Sequence, residues 1–376
     1  MSESIEDNFL EVRTDINILK EGKPRRLSLH GSTSYYMSES LCDHSSTRSL
    51  FSFSKDEYDT YYFKDWIHKN FKLIRVLDMG QVKNSNRVLG EIEESIHLRY
   101  LRTRDISWFS FPKSIYDLWN LETLDLRGSE VFDLPDGIWK LKKLRHLYMS
   151  GRGAILPNIP GRKVLPNLQT LSSVCLNQKT VEQLEKGKFP NLKKLGVDSF
   201  KSYETNSIDY LQRLRCLTHL NTLKIIYGSK ALTSVEGFPP NITKITLFGG
   251  IYLSEILNPL GSLSKLRYLK ITGKESDKYK NFQLECTKSV CFPQLIVLKM
   301  TNLNFVSWNL GEGAMPQLRR LVFNNCEFST NLPSVESFTS LQEVQVLWPS
   351  KQMVDKLQHL VLKDSCKLTV YPAMEE

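Results

Sequence analysis

One spacing of apolar residues recurs through nearly the whole chain, and it restricts the fold more than any other feature. In NLETLDL (120–126) and KLRHLYM (143–149) an apolar residue is followed by two free positions, a second apolar residue, one free position and a third apolar residue. The same phrase starts at Ile74, Leu98, Leu121, Leu144, Leu168, Leu192, Leu220, Ile242, Leu266, Leu295, Leu318 and Leu341, at intervals of 22 to 29 residues. Looser copies at 25–30 (RRLSLH) and 47–53 (TRSLFSF) bring the total to about fourteen units. One such unit cannot bury its own apolar face and has to stack on its neighbours, so the period predicts a leucine-rich solenoid.

The chemistry of the phrase says what each unit contributes. In LDL (Leu124, Asp125, Leu126) the alternation has period two, which puts both leucines on one face of a short strand and the aspartate on the other. Strands recurring in one direction at this interval have to be parallel neighbours, because a crossover of a dozen or more residues separates each from the next. The crossover reads LPDGIWKLKKL at 134–144 and FPKSIYDLWNL at 111–121. Its proline restricts the backbone, and Ile138, Leu141 and Leu144 recur three apart, as one edge of a helical or 3₁₀ segment does. The expected fold is an α/β solenoid: a leucine-rich repeat horseshoe with a parallel β-sheet on the concave face and irregular, 3₁₀ or short helical segments on the convex side. The expected organisation is a leader over 1–23, repeats over 24–350, and a cap over 351–376 in which MVDKLQHLVL (353–362) covers the last core layer.

Three places break the rhythm. SKDEYDTYYFKDW (54–66) is rich in tyrosine and acid, and GKESDKYKNFQLECTKSVC (273–291) reads as a charged loop with little periodicity. KSYETNSIDYLQRLRCL (201–217) spaces Ile208, Leu211, Leu214 and Leu217 as a convex helix would. Insertions in a solenoid go to surface loops, either as tolerated length drift or on a binding face.

Other classes of protein leave no trace in the residues. The start MSESIEDNFLEVRTD carries acids and no long apolar run, so no signal peptide is expected, and no stretch approaches the ~18 consecutive apolar residues of a membrane span. Seven cysteines (Cys42, Cys175, Cys216, Cys286, Cys291, Cys326, Cys366), with no CxxC pair, read as reduced thiols, and a single sequon occurs at Asn241. The expectation is a cytoplasmic protein, with peripheral membrane association or nuclear entry left open. No phosphate-binding loop, zinc-protease, nucleophile-elbow or kinase motif occurs, and the seven histidines are scattered singly. Neither an enzyme nor a bound cofactor or metal is expected.

What remains is surface. The free positions beside each strand leucine point into the concavity, and the basic residues among them are Arg102, Arg104, Arg127, Lys194, Lys224, Lys244, Lys270, Lys299 and Arg320, against the acids Asp78, Asp125 and Asp198. Part of this excess follows from the net charge of +9. Like charges on adjacent strands nevertheless repel about 5 Å apart, and a partner carrying acids relieves that. These nine residues are the candidate docking surface for an acidic protein. Nucleic acid is the weaker reading for a basic groove, since the rows lack closely interleaved aromatics and no nucleic-acid motif occurs.

FKLIRVLDMG (71–80), HLRYLRT (97–103), the run 111–149, LPNLQTL (165–171), KPRRLSLHGS (23–32) and EGFPPNITKITLFG (236–249), with Trp119 and Trp139 at their places, closely resemble a known family. It is the leucine-rich repeat domain of plant intracellular immune receptors, of the coiled-coil class and the late blight resistance type of the nightshade family. The resemblance covers about residues 23–350. It implies a domain that recognises a pathogen effector, or a host protein the effector targets, and that restrains the nucleotide-binding module of the same receptor until recognition triggers defence. The coiled coil, phosphate-binding loop and His-Asp sensor that precede the repeats in that family do not occur in this chain. On this resemblance the chain is expected to be a fragment or truncated product carrying the repeats. A free-standing adaptor, such as a ubiquitin-ligase substrate receptor, is the alternative; residues 1–23 hold no recruiting motif for it.

Overall fold

The computed structural model describes residues 11–13, 23–30, 44–53, 60–83, 85–106, 112–129, 133–149, 153–198, 207–226, 234–249, 257–274, 281–286, 291–310, 313–329, 338–357 and 365–371. They fall into two compact units, Met1–Val174 with Glu182–Leu192, and Cys175–Val181 with Lys193–Glu376.

In the first unit, β1 (Glu11–Arg13), β2 (Arg26–Leu29), β3 (Ser49–Ser52), β4 (Val76–Asp78), β5 (Tyr100–Arg102), β6 (Thr123–Leu126), β7 (His146–Met149) and β8 (Thr170–Cys175) each pair in parallel with the next. The second unit holds β9 (Lys194–Asp198), β10 (Thr222–Ile226), β11 (Lys244–Phe248), β12 (Tyr268–Thr272), β13 (Asn281–Cys286), β14 (Val297–Thr301), β15 (Asn304–Leu310), β16 (Arg320–Asn324), β17 (Glu327–Phe328), β18 (Glu343–Leu347) and β19 (Lys367–Tyr371). Here β9, β10, β11, β12, β14, β16, β18 and β19 form the parallel ladder. The parallel α/β solenoid expected from the period is the fold of each unit.

The register shows why the spacing is so strict. Leu77, Leu101, Leu124, Leu147 and Leu171 lie opposite one another in the first ladder, and Leu195, Leu223, Ile245, Leu269, Leu298, Leu321 and Val344 in the second. None is more than 2% exposed. Each buried side chain contributes roughly 2 kcal/mol, but only when the next coil covers it.

Polar stitches hold the coils in phase. The amides of Arg99 and Tyr100 both donate to the Arg75 carbonyl, and those of Glu122 and Thr123 both donate to Arg99. Just before the phrase, the side-chain amides of Asn120, Asn167, Asn191 and Asn241 donate to the carbonyls of Ile96, Lys142, Pro166 and Thr218 at 2.7–2.9 Å. Each bond reaches one coil back and satisfies a carbonyl that the ladder leaves open.

The return segments follow from their prolines. Pro112 and Pro135 sit in extended conformation ahead of 3₁₀ turns at Lys113–Asp117 and Asp136–Lys140, which bury Ile115 and Ile138. Gly137 lies against the Tyr116 ring of the preceding coil, where an added Cβ would come within 2.1 Å of a ring carbon. Five α-helices complete the described returns: α1 (Thr60–Asn70), α2 (Gln178–Glu185), α3 (Ser207–Gln212), α4 (Leu257–Leu260) and α5 (Lys351–Leu357). The expected helix over 208–217 is α3 continued by a 3₁₀ turn at Arg213–Cys216, burying Leu211, Leu214 and Leu217. In the stretch 54–66, residues 54–59 lie outside the described residues, and the rest opens α1, whose Phe63, Trp66 and Ile67 are buried.

Two expectations are corrected. The segment 273–291, read as a loop, contains β13, which joins β15 and β17 in a second, three-stranded parallel sheet. NFQLEC alternates with period two and buries Phe282 and Leu284; the Phe282 ring meets Phe305 edge-on, and Phe305 stacks on Phe328 at 4.5 Å. The lysines and acids on either side hid this short pattern. The cysteines are not uniformly reduced either. Cys175, Cys216, Cys326 and Cys366 are thiols outside any disulfide, whereas Cys291 is disulfide-bonded. In the C-terminal region, α5 buries Met353 and β19 adds a further strand beside β18.

At Gly237 an added Cβ would fall 1.5 Å from the backbone oxygen of Gln212, which no rotamer change can relieve. Gly237→Ala is therefore expected to destabilise the second unit by roughly 3 kcal/mol, read as a lower urea midpoint; an unchanged midpoint would refute the close approach.

Candidate protein-docking faces

The strands place their free positions on one face of each ladder, and the two units use that face differently. In the first, the basic positions are already neutralised. Asp125, fully buried, accepts from the Arg127 guanidinium through both carboxylate oxygens, at 2.9 and 2.6 Å, and from the Arg127 backbone amide at 3.0 Å. This bond is the main reason the Arg127 pKa is raised. Arg102 reaches Asp78 at 3.6 Å and Asp125 at 3.7 Å, and Arg104 lies 3.3 Å from Asp105. The Arg127 guanidinium also covers the Tyr148 ring at 4.9 Å.

These pairs follow from register. Asp78, Arg102 and Asp125 stand directly opposite one another on β4, β5 and β6, so opposite charges alternate across strands about 4.8 Å apart. The net charge expected of Arg102, Arg104 and Arg127 as a basic surface is largely cancelled within the unit.

In the second unit five lysines of the set stand, among the described residues, without such partners. Lys224, Thr246, Lys270 and Lys299 stand opposite one another on β10, β11, β12 and β14. Lys194 and Lys244 flank Thr222 in the neighbouring row. Among the described residues, no carboxylate lies within ion-pair distance of Lys194, Lys224, Lys244, Lys270 or Lys299. Lys244 meets the face of Tyr268, with Nζ 4.3 Å from the ring centroid. Lys270 feels the crowding most: burial lowers its pKa first, and then the charges of Lys299, Lys224 and Lys244 lower it further. Arg320, the last of the nine, is paired with Glu343 at 2.7 Å.

Sequence reasoning thus found the positions but not their state. It missed Glu343, which stands one period beyond Arg320 in the same row and was legible by extending the count. It counted Asp78 and Asp125 as two acids among many basic residues, although the Asp-x-Arg spacing of Asp125 and Arg127 lets one carboxylate take both the amide and the guanidinium. It placed Asp198 on the open face, where the structure buries it. Cys326 is buried in the core, and burial pushes the pKa of its thiol up to about 11. Among the described residues, no cluster of three or more His, Cys, Asp or Glu side chains is arranged to hold a metal.

Residues 46–256 match the family described as leucine-rich repeat region. The chain is similar to the late blight resistance protein R1-A of Solanum demissum, 32% identical over 285 residues, which cover 70% of this chain and 20% of that protein. It is also similar to the disease resistance protein RPP8 of Arabidopsis thaliana, 25% identical over 397 residues covering 95% of this chain and 42% of that one. This chain therefore spans well under half the length of either. Among solved structures, the functional domain of InlJ from Listeria monocytogenes shares 15% identity at a TM-score of 0.41, covering 80% of this chain and 63% of that one. No helix among the described residues is long and apolar enough to cross a membrane.

Asp125→Ala would remove the buried acceptor of the Arg127 amide and guanidinium while leaving the part-exposed arginines to water, and is expected to cost roughly 1–2 kcal/mol, measured by urea unfolding. Lys270 acts in the opposite sense. Its lowered pKa means that the folded state binds fewer protons than the unfolded one, so wild-type stability rises with pH between the depressed value and the ordinary lysine value of about 10.4. Lys270→Gln should raise the urea midpoint at pH 7, and its advantage should fade as the pH rises through that window. A midpoint difference independent of pH would contradict the charge repulsion described here.

Proposed function

Because the chain belongs to the leucine-rich repeat region family and its relatives are plant disease-resistance proteins, we propose that it is the recognition and autoinhibitory part of such a receptor. In this reading it acts in the cytoplasm, senses a pathogen effector or the host protein an effector targets, and restrains the receptor's nucleotide-binding module. The docking surface is the lysine face of the second unit. The observation that supports it is the set Lys224, Lys244, Lys270 and Lys299, crowded on adjacent strands without carboxylates among the described residues. Keeping these charges together costs the free protein stability, and an acidic partner would recover that cost on binding.

The arginines of the first unit have a smaller part in this reading, since neighbouring aspartates already offset their charge. One exposed ion pair contributes only about 0–1 kcal/mol, so the docking energy has to come from several lysines acting together. Screening at high salt should weaken such an interface.

The test is copurification of the 376-residue chain with a nucleotide-binding module of the late blight resistance type expressed in trans. The complex should form at low salt and weaken as salt rises. Changing Lys224, Lys244, Lys270 and Lys299 together to Glu should reduce recovery by at least tenfold, on the order of 1.4 kcal/mol. Unchanged recovery would reject the lysine face as the dock, and failure of the wild-type chain to copurify would reject the restraining role.

A further inference from the structure

The turn that precedes each strand forms a second surface on the first unit, separate from the ladder face. In three successive coils this turn carries a large apolar side chain in solvent: Leu73 is 41% exposed, Ile96 48% and Trp119 66%. The three are held side by side by the stacking itself. The Asn120 side chain bonds the Ile96 carbonyl at 2.7 Å, which fixes the Trp119 turn against the Ile96 turn. One coil further on, the same turn carries Lys142 and Lys143, and Lys163 lies beside them.

The charges along this edge are sorted. Beside the apolar residues, Lys72 is paired with Glu94 at 3.3 Å and Lys140 with Asp117 at 3.7 Å. Lys142 and Lys143 donate to neutral oxygens, the Val164 carbonyl at 2.8 Å and the Asn120 side chain at 2.7 Å. Among the described residues, no carboxylate pairs with Lys142, Lys143 or Lys163. Lys142 has a lowered pKa, from burial first and then from Lys163.

We infer that the turn edge of the first unit is a docking site for an extended acidic protein segment, with its apolar side chains on Leu73, Ile96 and Trp119 and its carboxylates on Lys142, Lys143 and Lys163. An apolar patch rimmed by satisfied ion pairs is the form that interaction sites take, and an exposed tryptophan supplies the large rigid anchor. The uncompensated lysines at one end select acid over base. With coils about 4.8 Å apart, the edge from Leu73 to the coil after Trp119 is spanned by roughly five or six extended residues at ~3.3 Å each. This site is independent of the lysine face on the second unit and does not rest on the receptor role.

The test uses the full chain and three fluorescein-labelled seven-residue peptides, read by fluorescence polarisation. One carries three apolar residues followed by four glutamates, the second has lysines in place of the glutamates, and the third has serines in place of the apolar residues. The first should bind at least tenfold more tightly than the other two. Trp119→Ala should weaken that binding at least tenfold without moving the urea midpoint, since the side chain is exposed. Lys142→Glu with Lys143→Glu should reverse the preference between the first two peptides. Absence of binding by the first peptide, or equal binding by Trp119→Ala, would overturn the assignment. A dimer of the wild-type chain that Trp119→Ala dissolves in sedimentation would overturn it in favour of a second copy as the occupant.

Discussion

Every structural feature of this chain depends on one constraint: a phrase leucine is buried only if the coil beside it is in register. A single coil has one strand and one return, too little to enclose anything, so the interior of each unit is made wholly of neighbour contacts. That dependence explains the conserved phase of the ladders, in which each strand leucine faces the next directly. It also explains the polar stitches. The asparagine bonds from one coil to the carbonyl of the coil before it lie at the exposed edge, and each adds a hydrogen bond worth about 1 kcal/mol that only the correct phase can make.

The same constraint dictates where specificity can reside. Positions that stack are committed to the interior, and positions between them are carried outward at a fixed spacing of one strand. Charges placed there interact whether or not that is useful. In the first unit, Asp78, Arg102 and Asp125 alternate in sign and cancel. In the second, Lys270 and Lys299 are of one sign and do not. A ladder therefore converts the order of residues at a single repeat position into either a closed ion-pair network or an open field. The difference is one of neighbours, not of residue type.

Much of this was legible in the sequence because the period was long, regular and built on apolar residues. The parallel strands, the buried phrase positions and the helix after Asn206 all follow from counting. β13 was not legible, because its alternation runs for only a few residues inside a charged stretch and becomes a strand only when β15 lies beside it. Among the nine basic positions, the rows were right, yet Arg320 proved to be paired because Glu343 stands across from it on β18. The exposure of Trp119 and the burial of Trp139 were equally hidden, since both belong to similar phrases and differ only in which side of the return they occupy.

The sequence by itself determined the repeat length, the strand direction and the inward face of the phrase leucines, since each depends on local spacing and on the need to bury apolar surface. Tertiary structure alone decided which charges are free. Pairing across strands joins residues some 23 positions apart, and whether a lysine meets a carboxylate, an aromatic ring or another lysine is a matter of distance between coils. Electrostatic energy falls with separation in space, and chain order does not specify that separation until the coils have stacked.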